Sequence, residues 1–132
     1  MSEAGKTAEK TILVVDDEPD IALVLTTTFE DAGYRVAAVE RGDDVERVLT
    51  ADTPDLILLD MLLSGRDGRE IVRHLKAQQA TRPIPILMLS AHPSAEQEAR
   101  GAGADDFLAK PFDLDVLLAK VAACLRRSHR TG

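Results

Sequence analysis

Five short apolar runs recur along this chain, and the stretches between them have helical spacing. The runs are rich in β-branched and aliphatic residues and lie at Ile12–Val15, Tyr34–Val39, Leu56–Leu59, Ile84–Leu89 and Phe107–Ala109. Most lack alternation of apolar and polar residues, which is typical of strands covered on both faces of a parallel sheet. The order βαβαβαβαβα therefore predicts an α/β domain with three layers. "YRVAAVE", at 34–40, is more mixed, and we expect it nearer an edge of the sheet.

The segments between the runs predict five helices. The first has apolar or small residues at i, i+3, i+4 and i+7 spacing, namely Ile21, Val24, Leu25, Thr28 and Ala32. Pro19 suits its first turn, and Gly33 suits its end. Shorter helices are indicated around residues 45–49, 71–75 and 94–100, and the last of these is the weakest. A clear fifth helix covers 114–125, with Asp113 placed to cap it.

The length of 132 residues suits one domain. Hydrophobic residues make up 45% of the chain but aromatic residues only 3%, so the core has to be aliphatic. We expect residues 1–10 to be a disordered N-terminal tail and residues 11–127 to form the domain. Residues 128–132 are then a C-terminal tail or the start of a linker.

Charge and cysteine content restrict the class of protein. The net charge of -7 and the pI near 4.9 argue against a nucleic-acid surface on this chain and agree with a cation site. Cys124 is the single cysteine, so no disulfide can form within the chain, and this fits a protein of a reducing cytosol. No apolar run approaches the roughly 18 residues of a membrane span. The N-terminus "MSEAGKTAEK" has no apolar secretory signal, so we expect a cytoplasmic protein without a membrane partner.

Polar residues follow four of the five apolar runs. Asp16 and Asp17 follow the first run, Asp60 the third, Ser90 the fourth and Lys110 the fifth. In open parallel α/β sheets the carboxyl ends of the strands form the edge where ligands bind. An Asp after a strand is often only a helix cap, and Lys-Pro is often only a turn. Their recurrence at successive strand ends nevertheless predicts one shared site.

Three carboxylates in one place predict a divalent cation. Their repulsion would raise the pKa of at least one of them, and a bound cation removes that repulsion. An all-oxygen site without His or Cys favours Mg²⁺ over zinc. Lys110 adds a fixed positive charge, and a carboxylate, Mg²⁺ and an ammonium group together suit phosphoryl transfer. Asp60 is the expected nucleophile, which would give an aspartyl phosphate.

These residues lie in motifs that resemble the receiver domain of two-component response regulators. The motifs are "VVDDE" at 14–18, "LILLD" at 56–60, "DG" at 67–68, "LSA" at 89–91 and "GADDFLAKPF" at 103–112. The resemblance covers about residues 10–127. It implies a flavodoxin-like, doubly wound (βα)5 fold whose parallel sheet has the strand order 2-1-3-4-5. It also implies a cis peptide bond between Lys110 and Pro111.

The resemblance assigns a role to each candidate residue. Asp60 would accept a phosphoryl group from a histidine kinase, a histidine phosphotransfer protein or a small donor such as acetyl phosphate. Asp17 would bind Mg²⁺ directly and Asp16 through water, and the backbone carbonyl of Leu62 would complete the protein ligands. Lys110 would contact the phosphoryl group. The domain would then catalyse only its own phosphorylation and dephosphorylation.

The resemblance further implies a conformational switch formed by Ser90 and Phe107. The Ser90 hydroxyl would bind the phosphoryl oxygen, and Phe107 would turn into the space that is vacated. A homodimer through the face made by helix 4, strand 5 and helix 5 is a further implied partner. The chain differs from the family at Ser64, where Pro is usual, and between Ser90 and Gly103, which is about two residues shorter than usual.

Two other readings of the site and two forms of the protein remain open. A haloacid-dehalogenase-type phosphatase also uses an Asp after a strand as its nucleophile, but Asp60-Met61-Leu62 lacks the second acid of D-x-D. A flavin or nucleotide binder would need a Gly- or Ser/Thr-rich loop after the first strand, where this chain has acids. The receiver could stand alone, or it could be the N-terminal part of a longer regulator.

Overall fold

The computed structural model describes residues 10–63, 66–92 and 94–131, with side chains up to residue 127. The predicted N-terminal tail lies outside these residues except for Lys10, and the side chains of the predicted C-terminal segment 128–132 also lie outside. The strands are β1 (Thr11–Val15), β2 (Arg35–Val39), β3 (Leu56–Asp60), β4 (Ile86–Ser90) and β5 (Asp106–Ala109). The helices are α1 (Pro19–Asp31), α2 (Val45–Ala51), α3 (Gly68–Lys76), α4 (Ala95–Ala102) and α5 (Leu114–Thr131), and a 3-10 turn (Gly42–Asp44) precedes α2.

The five strands form one parallel sheet in the order β2-β1-β3-β4-β5, which confirms the predicted fold. The mixed segment "YRVAAVE" supplies the edge strand β2, as expected. The register pairs Val15 with both Val39 and Leu59, and it pairs Ser90 with Ala109. The strands therefore end close to one line, and the residues that follow them share one edge of the sheet.

Apolar side chains cover both faces of the sheet. On one face, Leu13 and Ile57 pack with residues of α2, α3 and α4, such as Leu49 and Ile71. On the other face, the alternate residues of the same strands pack with Leu25 and Phe29 of α1 and with Leu117, Val121 and Cys124 of α5. Each fully buried Leu or Ile side chain contributes about 1.5–3 kcal/mol from burial. These two layers bury both faces of the sheet.

Among the described residues, no helix has the length and apolarity needed to cross a bilayer.

The buried face of α1 differs from the predicted one. Pro19 begins the helix and Gly33, with φ 100°, follows its C-cap, as expected. However, the buried residues of α1 are Leu25 and Phe29, whereas Val24 is 51% exposed. The periodic pattern included Val24 and omitted Phe29, because several apolar residues of this segment fit more than one stripe. The excess apolar residues of α1 are therefore on the surface.

The later boundaries also shift by a few residues. The run that begins at Ile84 becomes a strand only at Ile86, because Pro85 has no N–H to donate to a neighbouring strand. The fourth helix is short, with eight residues. The last helix extends to Thr131, so helical backbone continues beyond residue 127, where we expected the domain to end. The domain bounds themselves stay a prediction.

One element was missed by the sequence reasoning. Leu62–Leu63 and Arg66–Asp67 pair as a short antiparallel structure, here called the ribbon, between β3 and α3. The N–H of Gly68 donates to the carbonyl of Met61 at 2.7 Å and closes the base of the ribbon. Each strand of the ribbon is only two residues long, so no periodic pattern in the sequence could indicate it.

We expect Gly68→Ala to destabilise the domain. A Cβ at this position would lie 2.6 Å from the carbonyl oxygen of Asp60 and 2.9 Å from that of Met61, and both are backbone atoms. Forced overpacking of this kind costs about 1–3 kcal/mol. The free energy of unfolding, measured by urea denaturation in EDTA, should fall by that amount.

Gly101→Ala is the matched control for Gly68→Ala. A Cβ at Gly101 would meet no atom within 4 Å, and Ala is favoured over Gly inside a helix by about 1 kcal/mol. This variant should be as stable as the wild type or more stable. Equal unfolding free energies for the two variants would contradict the packing at Gly68.

Candidate functional site

Three of the predicted site residues come together at the carboxyl edge of the sheet. Asp16, Asp17 and Asp60 each offer a carboxylate oxygen, and these oxygens lie within 4.8 Å of one another. Asp16 and Asp60 are both buried, with 1% and 8% exposure, so the cluster is set into the surface. The sequence prediction that acids far apart in the chain converge here is confirmed by this geometry.

The sheet itself positions these residues. The N–H of Asp16 donates to Val39 at 3.2 Å, and the N–H of Met61 donates to Leu89 at 2.8 Å, so the backbone pairing continues past the strand ends. The Oδ1 atom of Asp16 accepts a hydrogen bond at 2.9 Å from the N–H of Glu18. This local turn fixes the Asp16 carboxylate just before Pro19 begins α1.

The second oxygen of Asp16 is not satisfied within the described part of the chain. Its Oδ2 atom is buried and accepts no hydrogen bond, and the Nζ atom of Lys110 lies 3.8 Å away, too far for one. Burial is the largest cause that raises the pKa of Asp16 above its ordinary value of 3.8. The hydrogen bond from Glu18 and the charge of Lys110 lower this pKa, and the charge of Asp60 raises it.

Lys110 contacts the carboxylate of Asp60. Its Nζ atom donates to Oδ2 of Asp60 at 3.1 Å, and the N–H of Leu62 lies 3.3 Å from Oδ1 of the same carboxylate. The N–H of Lys110 donates to the carbonyl of Ser90 at 2.8 Å, which continues the pairing of β4 with β5. The bond between Lys110 and Pro111 is cis, as expected. The ammonium group of Lys110 is therefore held against the carboxylate of Asp60, the candidate nucleophile.

The donor set fits Mg²⁺. The cluster offers only carboxylate oxygens, and one of them is a buried acceptor that has no donor among the described residues. A divalent cation would satisfy that oxygen and offset the repulsion that Lys110 alone leaves in place. Leu62 lies two residues beyond Asp60 at the start of the ribbon, and its role as a carbonyl ligand stays a prediction.

Ser90 and Phe107, the two residues of the expected switch, lie on the neighbouring strands β4 and β5. Ser90 is buried at the end of β4, and its Oγ atom accepts a hydrogen bond at 3.1 Å from the N–H of His92. Phe107 is buried in β5 and packs in the cluster shared with α4. The hydroxyl thus lies at the same edge as the carboxylates, and the proposed movement of the pair remains a prediction.

Sequence reasoning missed an apolar groove that borders the site. Lys110 and Pro111 line it together with apolar residues of α1, of the segments after β4 and β5, and of the start of α5, namely Ile21, Val24, Leu25, Ala91, Phe112 and Leu114. Leu23, next to Val24, is 66% exposed. The signal in the sequence was the run "ALVL" at 22–25, which contains more apolar residues than one buried stripe requires.

Comparisons with known proteins agree with this geometry. The family model described as the response regulator receiver domain matches residues 12–122. The phosphate regulon transcriptional regulatory protein PhoB of Pseudomonas aeruginosa is 41% identical over 121 residues, which are 90% of this chain and 53% of that protein. The DNA-binding dual master transcriptional regulator RpaA of Synechocystis is 39% identical and covers 90% of this chain and 50% of its own.

Solved structures agree as well. The chemotaxis response regulator CheY4 of Vibrio cholerae has a TM-score of 0.82 and 30% sequence identity, covering 88% of this chain and 98% of its own. A signal receiver domain of a histidine kinase from Syntrophus aciditrophicus has a TM-score of 0.82 and 35% identity, over 89% and 90% of the two chains. The chain spans about half the length of the curated relatives it matches. None of these similarities supports the haloacid-dehalogenase-type alternative.

We expect Asp16→Asn to stabilise the metal-free domain at neutral pH. Because the folded protein holds a proton on Asp16 more tightly than the unfolded chain does, the wild type loses stability as pH rises from 3.8 through the raised pKa. Asn at position 16 removes that loss, and its side-chain oxygen can still accept the hydrogen bond from the N–H of Glu18. The gain should be about 1 kcal/mol, or roughly 3–6 °C in Tm.

Thermal melts in EDTA at neutral pH and at low pH test this effect. The gain in stability should disappear below pH 3.8, where Asp16 is protonated in both the folded and the unfolded state. Added Mg²⁺ should stabilise the wild type more than the variant. Asp52→Asn removes the same charge from an exposed position and is the control. A pH-independent gain, or an equal gain in the control, would contradict the assignment.

Proposed function

Because the chain belongs to the response regulator receiver domain family, we propose that its Asp60 is the residue that accepts a phosphoryl group in two-component signalling. Receiver domains are phosphorylated by histidine kinases, and Mg²⁺ is a general feature of the family. The donor proposed for this chain is the phosphohistidine of a sensor histidine kinase or of a histidine phosphotransfer protein. The observation that carries the proposal is the contact of 3.1 Å between Asp60 and Lys110 beside the two other acids.

The proposed transfer requires no other nucleophile. A carboxylate oxygen of Asp60 attacks the phosphorus atom, the P–N bond of the phosphohistidine breaks, and the electron pair stays on the imidazole nitrogen. The product is an acyl phosphate on Asp60. Lys110 stabilises the negative charge on the phosphoryl oxygens. Asp16 and Asp17, with Asp60 and the carbonyl of Leu62, would hold Mg²⁺, which supplies further charge neutralisation when it is bound.

Output would depend on a change in packing near Ser90. Its hydroxyl lies at the site edge and is engaged only with the N–H of His92 among the contacts described for it. A new bond from this hydroxyl to the phosphoryl group would draw the segment after β4 inward and release space for Phe107. The energy comes from charge-assisted contacts that exist only in the phosphorylated state.

The partners of the switched domain are proposals too. Asp106 of β5 pairs with Arg100 of α4 at 2.9 Å and with Lys120 of α5 at 3.4 Å, so these three elements form one connected face. A homodimer through this face, or control of an effector domain, would transmit the signal. Because the chain has a net charge of -7, any contact with DNA would belong to an effector rather than to this domain.

Phosphorylation of Asp60 is tested by intact-mass spectrometry after incubation with acetyl phosphate and Mg²⁺. The wild type should gain the mass of one phosphoryl group, and Asp60→Asn should gain none. Asp52→Asn, an exposed acid outside the cluster, is the matched control and should be labelled like the wild type. EDTA should suppress labelling. Equal labelling of Asp60→Asn would remove Asp60 from this role.

The apolar groove is the proposed docking surface for the protein that carries the phosphohistidine. Lys110 lines the groove and also contacts Asp60 of the carboxylate cluster, so a protein seated there would have its donor group next to Asp60. The lining is almost entirely apolar, and such surfaces beside a site are typical of protein contacts. Small phosphodonors would not need this surface.

We expect Val24→Glu to slow phosphotransfer from a kinase that phosphorylates the wild type. A charge placed in the groove would be desolvated by the docked protein, which should reduce the initial rate by about tenfold or more. Val116→Glu is the control, because Val116 is similarly exposed but does not line the groove. Rates are normalised to acetyl phosphate labelling of each variant. Equal rates for the two variants would exclude the groove as the docking surface.

A further inference from the structure

Two arginines that take no part in the proposed transfer lie in the ribbon and directly after it. Arg66 lies in the ribbon itself, and Arg69 lies in the first turn of α3 directly after it. Their side chains are 24% and 30% exposed, so both are largely packed against the protein. Neither belongs to the carboxylate cluster at the edge of the sheet.

Arg66 joins the ribbon to the 3-10 turn and to α2. Its Nη1 atom lies 3.4 Å from the carbonyl oxygen of Gly42, 3.6 Å from Asp43 and 3.6 Å from Glu46. The turn and the ribbon are in close contact here, since a Cβ on Gly42 would lie 3.3 Å from the Cβ of Arg66. Three acceptors from one neighbouring segment therefore converge on a single guanidinium group.

Arg69 joins the other side of the ribbon to α4. Its Nη2 atom donates to Oδ2 of Asp67 at 2.6 Å, and its Nη1 atom donates to Glu98 at 2.6 Å. The Nε atom and the backbone N–H of Arg69 both donate to Oδ1 of Asp67, at 3.0 and 2.9 Å. This fork fixes Asp67 as the N-cap of α3 and connects it to a helix 29 residues away along the chain.

The ribbon in turn positions residues of the site. Asp67 is the pairing partner of Leu62, whose N–H lies 3.3 Å from the carboxylate of Asp60. The hydrogen bond of 2.7 Å from Gly68 to Met61 closes the same segment at its base. A displacement of Asp67 would therefore displace Leu62 and change the backbone next to the phosphoacceptor.

We propose that Arg66 and Arg69 are positioning residues that hold this segment, from α2 on one side and α4 on the other, in the conformation that receives Mg²⁺. The proposal rests on the proposed function, since it concerns the same cation site. A segment ordered before the cation arrives loses less conformational freedom on binding, so the arginines strengthen binding without touching the ion.

Electrostatics alone predicts the opposite result. Replacing either arginine by Ala makes the surroundings of the acid cluster more negative, which would attract a divalent cation more strongly. Loss of positioning instead weakens binding. The sign of the change in Mg²⁺ affinity therefore separates the two effects.

The experiment is calorimetric titration of MgCl₂ into the unphosphorylated chain. We expect Arg66→Ala and Arg69→Ala each to weaken Mg²⁺ binding by about threefold to tenfold, and the double variant to weaken it further. Arg69→Lys keeps the charge but loses the fork, so it should also bind Mg²⁺ more weakly than the wild type. Arg47→Ala removes the same charge from α2, where the Arg47 side chain is 72% exposed and pairs with Asp44, and this variant should bind Mg²⁺ as tightly as the wild type or more tightly.

Thermal melts in EDTA accompany the titrations. Partly exposed ion pairs contribute little to stability, so the Tm should fall only slightly while the Mg²⁺ affinity falls clearly. If the double variant does not fold, the single variants and Arg69→Lys decide the question. Unchanged or tighter Mg²⁺ binding in folded variants, with a wild type that binds Mg²⁺ and is labelled on Asp60, would overturn this inference alone. A wild type that binds no Mg²⁺ would overturn the inference and the Mg²⁺-dependent function together.

Discussion

The repulsion between three carboxylates at one edge of the sheet is the constraint on which the rest of the structure depends. Asp16 is buried, its pKa is raised chiefly by that burial, and one of its oxygens accepts no hydrogen bond from the described residues. Lys110 offsets part of this cost through Asp60, at 3.1 Å. The two apolar layers that cover the sheet supply the remaining stability, so the fold can keep an unfavourable cluster where chemistry requires it.

The convergence of these residues could be predicted from the sequence because it follows from strand direction. Parallel strands place their carboxyl ends at one edge of the sheet. The register of the neighbouring strands sets Asp16, Asp60 and Lys110 at nearly the same level along that edge. The apolar runs marked all five strands, and Pro19 and Gly33 marked the limits of α1 correctly. The strand order, in contrast, came from family resemblance, since periodicity carries no information about which strands are neighbours.

The features that escaped prediction depend on contacts between segments distant in the chain. Val24 fitted a helical stripe as well as Leu25 did, and only the packing of Phe29 decides which side of α1 is buried. The ribbon has two residues on each side, too few for any period to be visible. The acceptors around Arg66 lie 20 to 24 residues earlier and Glu98 lies 29 residues after Arg69, so local sequence could not reveal either connection.

Two arginines beside a cation site would be unfavourable if their charges reached the site unopposed. Each is instead paired with two acids outside the cluster: Arg66 with Asp43 and Glu46, and Arg69 with Asp67 and Glu98. The hydrogen bonds from Arg69 hold the pKa of Asp67 below its ordinary range, so that acid stays charged and keeps its partner. Local neutralisation of this kind lets cationic side chains shape the segment next to Asp60 while the cluster retains the negative charge that binds Mg²⁺.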